Sequence, residues 1–146
     1  MNLQPKSSVV VPVDFSGHCV EAIRTALQFV EQPAHVHLIH VVVPLESNSP
    51  AVLLGEVDQA SREQRVREYF ADYTRENQLP DITVVVRTGS PGETITDYAA
   101  DAKADLIVIS SHGYGGVKRL LLGSVTERVL RLTTCPVLVL PRGDDD

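Results

Sequence analysis

Five apolar segments alternate with amphipathic or strongly charged segments along the chain. The apolar segments are rich in Val, Ile and Leu and lack polar alternation, which is typical of strands that are buried on both faces. They cover residues 8–13, 35–43, 82–86, 106–109 and 136–140. The pattern therefore predicts five short strands.

Four helices are predicted between these strands. The first has apolar residues three and four positions apart, and the second is long and charged. The third opens with Ser90, Pro91 and Glu93 in the order of a capping box. The predicted helices run from Ser16 to Pro33, over 56–78, from Pro91 to about 103, and onward from about Ser124. Residues 45–55 predict a mobile loop.

This alternation predicts an α/β fold in one domain over residues 1–146, with an acidic tail at 141–146. Strands that are buried on both faces form a parallel sheet covered by helices on each side. Right-handed crossovers make such a sheet doubly wound. The length of 146 residues, with 43% hydrophobic and 22% charged residues, fits one soluble domain.

Charge and cysteine content exclude several classes of protein. Thirteen basic residues against nineteen acidic ones give a net charge of −6, so we expect no nonspecific nucleic-acid binding. The apolar runs are too short to span a membrane, and the segment 1–8 has no secretory signal. Cys19 and Cys135 are far apart and belong to no metal or redox motif. We therefore expect a cytoplasmic protein with two reduced thiols.

The loops that follow the first and fourth strands are the expected ligand-binding region. In a doubly wound sheet, ligands bind beyond the carboxyl ends of the strands, where the strand order reverses. Asp14 follows the first strand, and the small-residue loop from Ser110 to Gly116 follows the fourth. This loop lacks the dinucleotide fingerprint, since Lys118 stands where Gly or Ala is required, and the chain contains no P-loop triplet.

Two interpretations remain open for the segment from Gly123 to Glu127. Ser124 and Glu127 have the spacing of a capping box, which predicts only the start of a helix. The first amides of that helix, together with the hydroxyls of Ser124 and Thr126, would also suit phosphate oxygens. We favour the phosphate interpretation because a glycine-rich loop and a helix start occur together.

These residues resemble the signature of ATP-binding universal stress proteins, Gly-x-x-Gly, nine residues, then Gly-Ser/Thr. The second half of the signature matches Gly113 and Gly123-Ser124, and Ser110 stands in place of the first glycine. The resemblance extends over nearly the whole chain, including the segments 12–16, 40–41, 104–108 and 135–139. It implies a sheet of the adenine nucleotide alpha hydrolase-like type, with strand order 3-2-1-4-5, and a homodimer formed through Val137–Leu140.

The resemblance also implies a binding site for ATP with Mg²⁺. Asp14 and the main chain of Val41 would hold the adenine or ribose end, and Pro12 and Val13 would shape that wall. The phosphates would lie against a second set of residues: Gly113, Gly123, Ser124, Val125 and Thr126. At Ser110 a side chain would crowd the sugar or donate to it, and we expect binding to survive.

The function implied is that of a dimeric, nucleotide-dependent regulator of the stress response, in which ATP orders the segment 45–55. Two alternatives stay open, a nucleotide-free interaction module of the same fold and a slow ATPase. No Ser-His-Asp order or nucleophile elbow is present, so we expect no catalytic residues and at most slow hydrolysis.

Further histidines and basic residues are candidates for binding a metal or a phosphate. His35 and His37 would share one face of the second strand, but they lie at its amino end without companion ligands. We therefore expect no metal site. For His112, for Lys118 and for Arg119, a contact with phosphate and an ordinary loop position both remain open.

Overall fold

The computed structural model describes residues 4–55, 58–111 and 122–141. Strands β1 to β5 alternate with helices α1 to α5, except that α2 and α3 both lie between β2 and β3. The strands are β1 (Val9–Pro12), β2 (Val36–Val42), β3 (Thr83–Thr88), β4 (Leu106–Ser110) and β5 (Val137–Leu140). The helices are α1 (Gly17–Leu27), α2 (Pro50–Leu53), α3 (Gln59–Glu76), α4 (Pro91–Asp101) and α5 (Ser124–Leu132).

The five strands form one parallel sheet in the order β3-β2-β1-β4-β5. The predicted fold class and strand order are therefore confirmed. The order reverses between β1 and β4, because the chain first builds outward from β1 to β3 and then returns to the other side. In the register of β1, Val9 lies between Val36 of β2 and Leu106 of β4.

Helices cover both faces of the sheet and create two apolar cores. The first core joins the face that carries Val9 and Val11 to residues of α1 and α3, among them Ile23 and Phe70. The second core joins the opposite face of the sheet to α4 and α5. It contains Val10, Ile39, Val85, Ile107 and Ile109 from the strands and Ile95, Ala99 and Val129 from the helices. This two-sided burial explains why the strands lack polar alternation.

Two predicted boundaries in the first half of the chain are wrong. Helix α1 ends at Leu27 instead of continuing to Pro33. The main chain of Lys6 donates to the carbonyl of Phe29 across 2.6 Å, and Lys6 forms a parallel bridge with Val30. This pairing draws the chain out of the helix. Residues 45–55 are not only loop, because α2 forms within them, with Ser49 as N-cap and Pro50 at its first position.

Three further details differ from the predictions. Helix α3 starts at Gln59, where the Asp58 side chain accepts from the amide of Ser61 across 2.7 Å. Helix α5 has Gly123 as its N-cap and Ser124 as its first residue, so Ser124 and Glu127 do not form the predicted capping box. His35 ends a 3₁₀ turn, Pro33–His35, before β2, so it does not lie in a strand with His37.

Among the described ranges, no helix is both long enough and apolar enough to cross a membrane.

Candidate functional site

A cleft opens at the carboxyl edge of the sheet, where the strand order reverses between β1 and β4. Eight of the ten predicted site residues line it: Pro12, Val13, Asp14, Val41, Ser110, Gly123, Val125 and Thr126. Ser124 is exposed at the start of α5 and is not among the lining residues. Gly113 lies outside the described residues, as do His112, Lys118 and Arg119.

Several lining residues were not predicted. Ile39, Ile95 and Ile109 supply an apolar wall, and Cys19, His40 and Pro91 also line the cleft. Their positions follow from the topology, since His40 and Ile109 lie near the carboxyl ends of β2 and β4, Pro91 opens α4, and Cys19 lies in the first turn of α1. No motif marks these residues in the sequence. They could have been found only from their places near the ends of the strands and the starts of the helices that adjoin Asp14 and Ser110.

The loop after β1 holds Asp14 in a tight local turn. The Asp14 Oδ1 atom accepts the amide of Ser16 across 2.9 Å, which is an Asx turn. Phe15, between them, has a φ of 64°. This left-handed conformation is uncommon for a bulky residue and costs about 1–2 kcal/mol.

An aromatic cluster offsets the strain at Phe15. The ring of Phe15 lies 4.7 Å, centroid to centroid, from each of three other rings, those of His40, Tyr69 and Phe70. A fourth ring, that of Tyr73, lies 5.5 Å away. Aromatic pairs at such distances are worth about 0.5–1.5 kcal/mol each beyond their buried area. The cluster therefore anchors the loop that carries Asp14 to α3.

Cys19 connects this loop to the start of α1. Its thiol donates to Asp14 Oδ1 across 2.9 Å, and its Sγ atom accepts the amide of Asp14 across 3.4 Å. Burial, reinforced by the hydrogen bond to Asp14, raises the pKa of the Cys19 thiol to about 11. The thiol is consequently protonated at neutral pH and acts as a donor.

His40 ties the carboxyl ends of β1 and β2 together. Its Nδ1 atom lies 2.6 Å from the carbonyl oxygen of Val13. Because a carbonyl oxygen only accepts, Nδ1 must carry the proton in this hydrogen bond. This contact fixes Val13 beside Val41, on the wall of the cleft nearest β2.

The opposite wall is built by β4 and the start of α5. The buried hydroxyl of Thr126 donates to the carbonyl of Ser110 across 3.0 Å. A hydroxyl has one proton to donate, and here it is directed at Ser110, so the role of this hydroxyl as a phosphate donor stays a prediction. The amides of Ser124, Val125 and Thr126 precede the first helical hydrogen bond, from Glu127 to Gly123. They lie at the positive end of the helix.

Helices α4 and α5 meet closely beside the cleft. The Arg128 guanidinium contacts the Glu93 carboxylate at 2.6–2.7 Å, and the hydroxyl of Ser90 donates to the same carboxylate across 2.8 Å. Hydrogen bonds from Ser90 and Arg128 lower the pKa of Glu93. Ser90 is the N-cap of α4, as predicted, but its side chain bonds Glu93 rather than a backbone amide.

The two histidines near the start of β2, His35 and His37, are not among the residues that line the cleft. His37 Nδ1 is 2.6 Å from the Tyr98 hydroxyl, and burial together with the nearby His35 lowers the pKa of His37. Within the described ranges, no three residues among His, Cys, Asp and Glu are grouped to hold a metal ion.

The cleft thus combines three chemical features. Asp14 supplies a hydrogen-bond acceptor after β1, the first turn of α5 supplies amide donors beside β4, and Ile39, Ile95 and Ile109 supply an apolar wall. A ligand that fits this combination has hydrogen-bond donors, an anionic group and a flat or apolar part.

Comparison with known proteins places the chain among relatives of known fold. The family model described as the universal stress protein family matches residues 7–141. Universal stress protein MJ0531 of Methanocaldococcus jannaschii is 31% identical over 140 residues, which cover 92% of this chain and 81% of that protein. The solved structure of MJ0577 has a TM-score of 0.73 at 26% identity and covers 95% of this chain and 99% of its own.

Two further structures share the fold and contain nucleotides. A universal stress protein in complex with cAMP has a TM-score of 0.63 at 22% identity, covering 96% of this chain and 100% of that one. A complex of an Archaeoglobus fulgidus relative with dAMP has a TM-score of 0.56 at 20% identity, covering 95% and 98%.

Proposed function

The chain belongs to the universal stress protein family, and on that basis we propose that its cleft binds an adenine nucleotide, specifically ATP with Mg²⁺. The observation that carries the proposal is that the Asp14 carboxylate and the first turn of α5 line the same cleft. A nucleotide has matching groups, since its base and ribose carry donors and its phosphates are anionic.

The base and ribose would lie at the β1–β2 side of the cleft. Asp14 only accepts hydrogen bonds when ionised, so it suits the ribose hydroxyls or the amino group of adenine. The main chain of Val41 would meet the base, and Pro12 and Val13 would shape the wall. The apolar side chains of Ile39 and Ile95 offer contact surface to a flat ring.

The phosphates would lie at the start of α5. Main-chain amides at a helix N-terminus bind anions, and the helix dipole favours negative charge there by about 0.3–1 kcal/mol. Gly123 is buried and Ser124 is exposed at this end, and Gly113 would complete the anion site from the preceding loop. Mg²⁺ would be held by the phosphates with Asp14 nearby.

Ser110 stands where the signature has its first glycine, and at this position its side chain would lie close to the ribose. Its carbonyl is fixed by the Thr126 hydroxyl, and its side chain is half-buried at the cleft. A serine is small and can donate to a ribose oxygen, so this substitution is compatible with the proposal.

The two nucleotide complexes named above support the chemical class of ligand. The proteins in them bind cAMP and dAMP, which share the adenine ring with ATP. Those two proteins are 22% and 20% identical to this chain, and the residues of the cleft itself carry the proposal.

In this proposal, ATP binding changes a surface that partner proteins recognise. Binding would order the segment 45–55, which includes α2. The protein would act in the cytoplasm as a homodimer through β5, whose four residues are all half-buried at one edge of the sheet. A nucleotide-free module of the same fold is the competing function, and a binding measurement separates the two.

The test is calorimetric titration with Mg-ATP of protein that has been denatured, stripped of ligand and refolded. We expect saturable binding by the wild type and an affinity reduced by about ten- to hundredfold in Asp14→Asn, since hydrogen bonds to charged groups contribute about 1.5–3 kcal/mol. Gly113→Asp, which adds negative charge to the signature, should abolish binding. Asp97→Asn is a matched control, because Asp97 is an exposed carboxylate of α4 outside the cleft.

Failure of the refolded wild type to bind any adenine nucleotide would refute the proposal and favour the nucleotide-free module. Phosphate release by the wild type that exceeds release by Gly113→Asp would instead favour the slow ATPase.

A further inference from the structure

Cys19 is a buried thiol at the floor of the cleft, beside the carboxylate proposed to bind the nucleotide. Its side chain is 4% exposed and lies in the first turn of α1. Three polar contacts surround its sulfur: it donates to Asp14 Oδ1 across 2.9 Å, accepts the Asp14 amide across 3.4 Å, and lies 3.7 Å from the Ser16 hydroxyl.

These contacts restrict the orientation of the Asp14 carboxylate. Oδ1 receives two hydrogen bonds from different directions, one from the Ser16 amide and one from the Cys19 thiol. The first comes from the adjacent turn and the second from the helix that follows, so rotation of the side chain would break both. A thiol is a weak donor, but its bond to a charged acceptor is stronger than one to a neutral group.

Packing alone does not require a sulfur at this position. The neighbouring core positions of α1 are Ala22 and Ala26, both fully buried. A small apolar side chain would therefore fill much of the same space, but it would leave Oδ1 of Asp14 with one fewer donor.

We propose that Cys19 is a positioning residue for nucleotide binding, whose S–H group holds the Asp14 carboxylate in the orientation that receives the nucleotide's hydrogen-bond donors. This inference rests on the proposed function of the cleft. Cys19 acts through Asp14 and does not itself contact the nucleotide.

The first experiment compares variants of the full chain by calorimetric titration with Mg-ATP. Cys19→Ala removes the donor and should raise the Kd by about three- to tenfold, the range expected for one hydrogen bond. Cys19→Ser keeps a donor and should restore the Kd to within about twofold of the wild-type value. Cys135→Ala is the matched control, since Cys135 is a half-buried thiol that contacts Thr133 away from the cleft.

A double-mutant cycle separates positioning from packing. If Cys19 acts through Asp14, then Cys19→Ala should change the Kd little once Asp14→Asn is present. A packing defect would instead weaken binding by the same factor in both backgrounds.

A spectroscopic measurement tests the link between the two side chains without nucleotide. In a Cys135→Ser background, the Raman S–H stretching band reports Cys19 alone. Replacement of Asp14 by Asn should shift that band to higher frequency, because the donor loses its charged acceptor.

The outcomes distinguish this inference from the proposed function. Binding by the wild type with an unchanged Kd in Cys19→Ala, or additive effects in the cycle, overturns the role of Cys19 alone. An S–H band that does not respond to Asp14→Asn also overturns it. A wild type that binds no adenine nucleotide overturns the function of the cleft and this inference with it.

Discussion

Phe15 offers a sharp test of the strained turn that carries Asp14, because glycine and alanine should rank there in the reverse of their usual order. The residue has a φ of 64° and a half-buried ring packed among four other rings. Truncation to Ala or to Gly removes the same ring contacts. The difference between the two variants therefore reports the backbone alone.

The magnitude follows from two opposing terms. Alanine in the left-handed region costs about 1–2 kcal/mol, a cost that glycine does not incur. Glycine loses more conformational freedom on folding, which favours alanine by about 0.5–1 kcal/mol. The net expectation is that Phe15→Gly is more stable than Phe15→Ala by about 0.5–1 kcal/mol. Both should be less stable than the wild type by about 2–3 kcal/mol, since full removal of a buried Phe costs about 3–5 kcal/mol and this ring is half-buried.

The assay is urea unfolding followed by circular dichroism, with the free energy of unfolding extrapolated to water. Glu21, an exposed position inside α1, provides the control pair. There Glu21→Ala should be more stable than Glu21→Gly by about 1 kcal/mol, which is the ordinary helical preference. If Ala also equals or exceeds Gly at position 15, the left-handed backbone at Phe15 is refuted, and with it the strained geometry of the Asp14 turn.

Two further predictions concern the hydrogen bonds that fix the rest of the molecule. Thr126→Val removes the donor to the Ser110 carbonyl and should lower the free energy of unfolding by about 1–2 kcal/mol. The control, Thr74→Val in α3, should stay within about 0.5 kcal/mol of the wild type in urea unfolding. Equal effects of the two substitutions would contradict the hydrogen bond between Thr126 and Ser110. The hydrogen bond from the Ser7 amide lowers the pKa of Asp105. The contribution of Asp105 to stability is therefore present above the usual pKa of about 3.8 and lost as the pH falls below it. Asp105→Asn should therefore destabilise the protein at pH 7 and less so near pH 3, and a pH-independent difference in the urea midpoint would refute the assignment.

The order of strands and helices could be predicted because the strands are rich in apolar residues, and the central strands β1 and β4 are buried on both faces. The site edge could also be predicted, since the place where strand order reverses follows from the topology, and both Asp14 and Ser110 lie there. Helix boundaries that depend on contacts with residues distant in the sequence could not be predicted. Helix α1 ends early because Val30 pairs with Lys6, and no local pattern near Leu27 announces that contact.

The roles of individual polar groups were the least predictable part, because a donor can serve the fold or a ligand but not both. Thr126 was a reasonable phosphate donor by type and position, yet its hydroxyl is used to hold Ser110. Cys19 was an inconspicuous thiol by the same criteria, yet it bonds the central carboxylate of the cleft. The sequence determines which residues gather at the edge of the sheet, but the assignment of each proton depends on distances that only the folded chain provides.

The same hydrogen bonds give the cleft a physical property that bears on its function. Asp14 is held by Ser16 and Cys19, Val13 by His40, and Ser110 by Thr126, in each case by the protein's own groups. Groups that are already oriented lose little conformational entropy when a ligand binds, so more of the interaction energy appears as affinity. A wall fixed in this way also discriminates between ligands by the positions of their donors. If a ligand's donors do not reach Asp14, the carboxylate cannot turn toward them without breaking its hydrogen bonds with Ser16 and Cys19. The strain at Phe15 and the unusual thiol donor are consistent with a turn whose geometry matters more than its local stability.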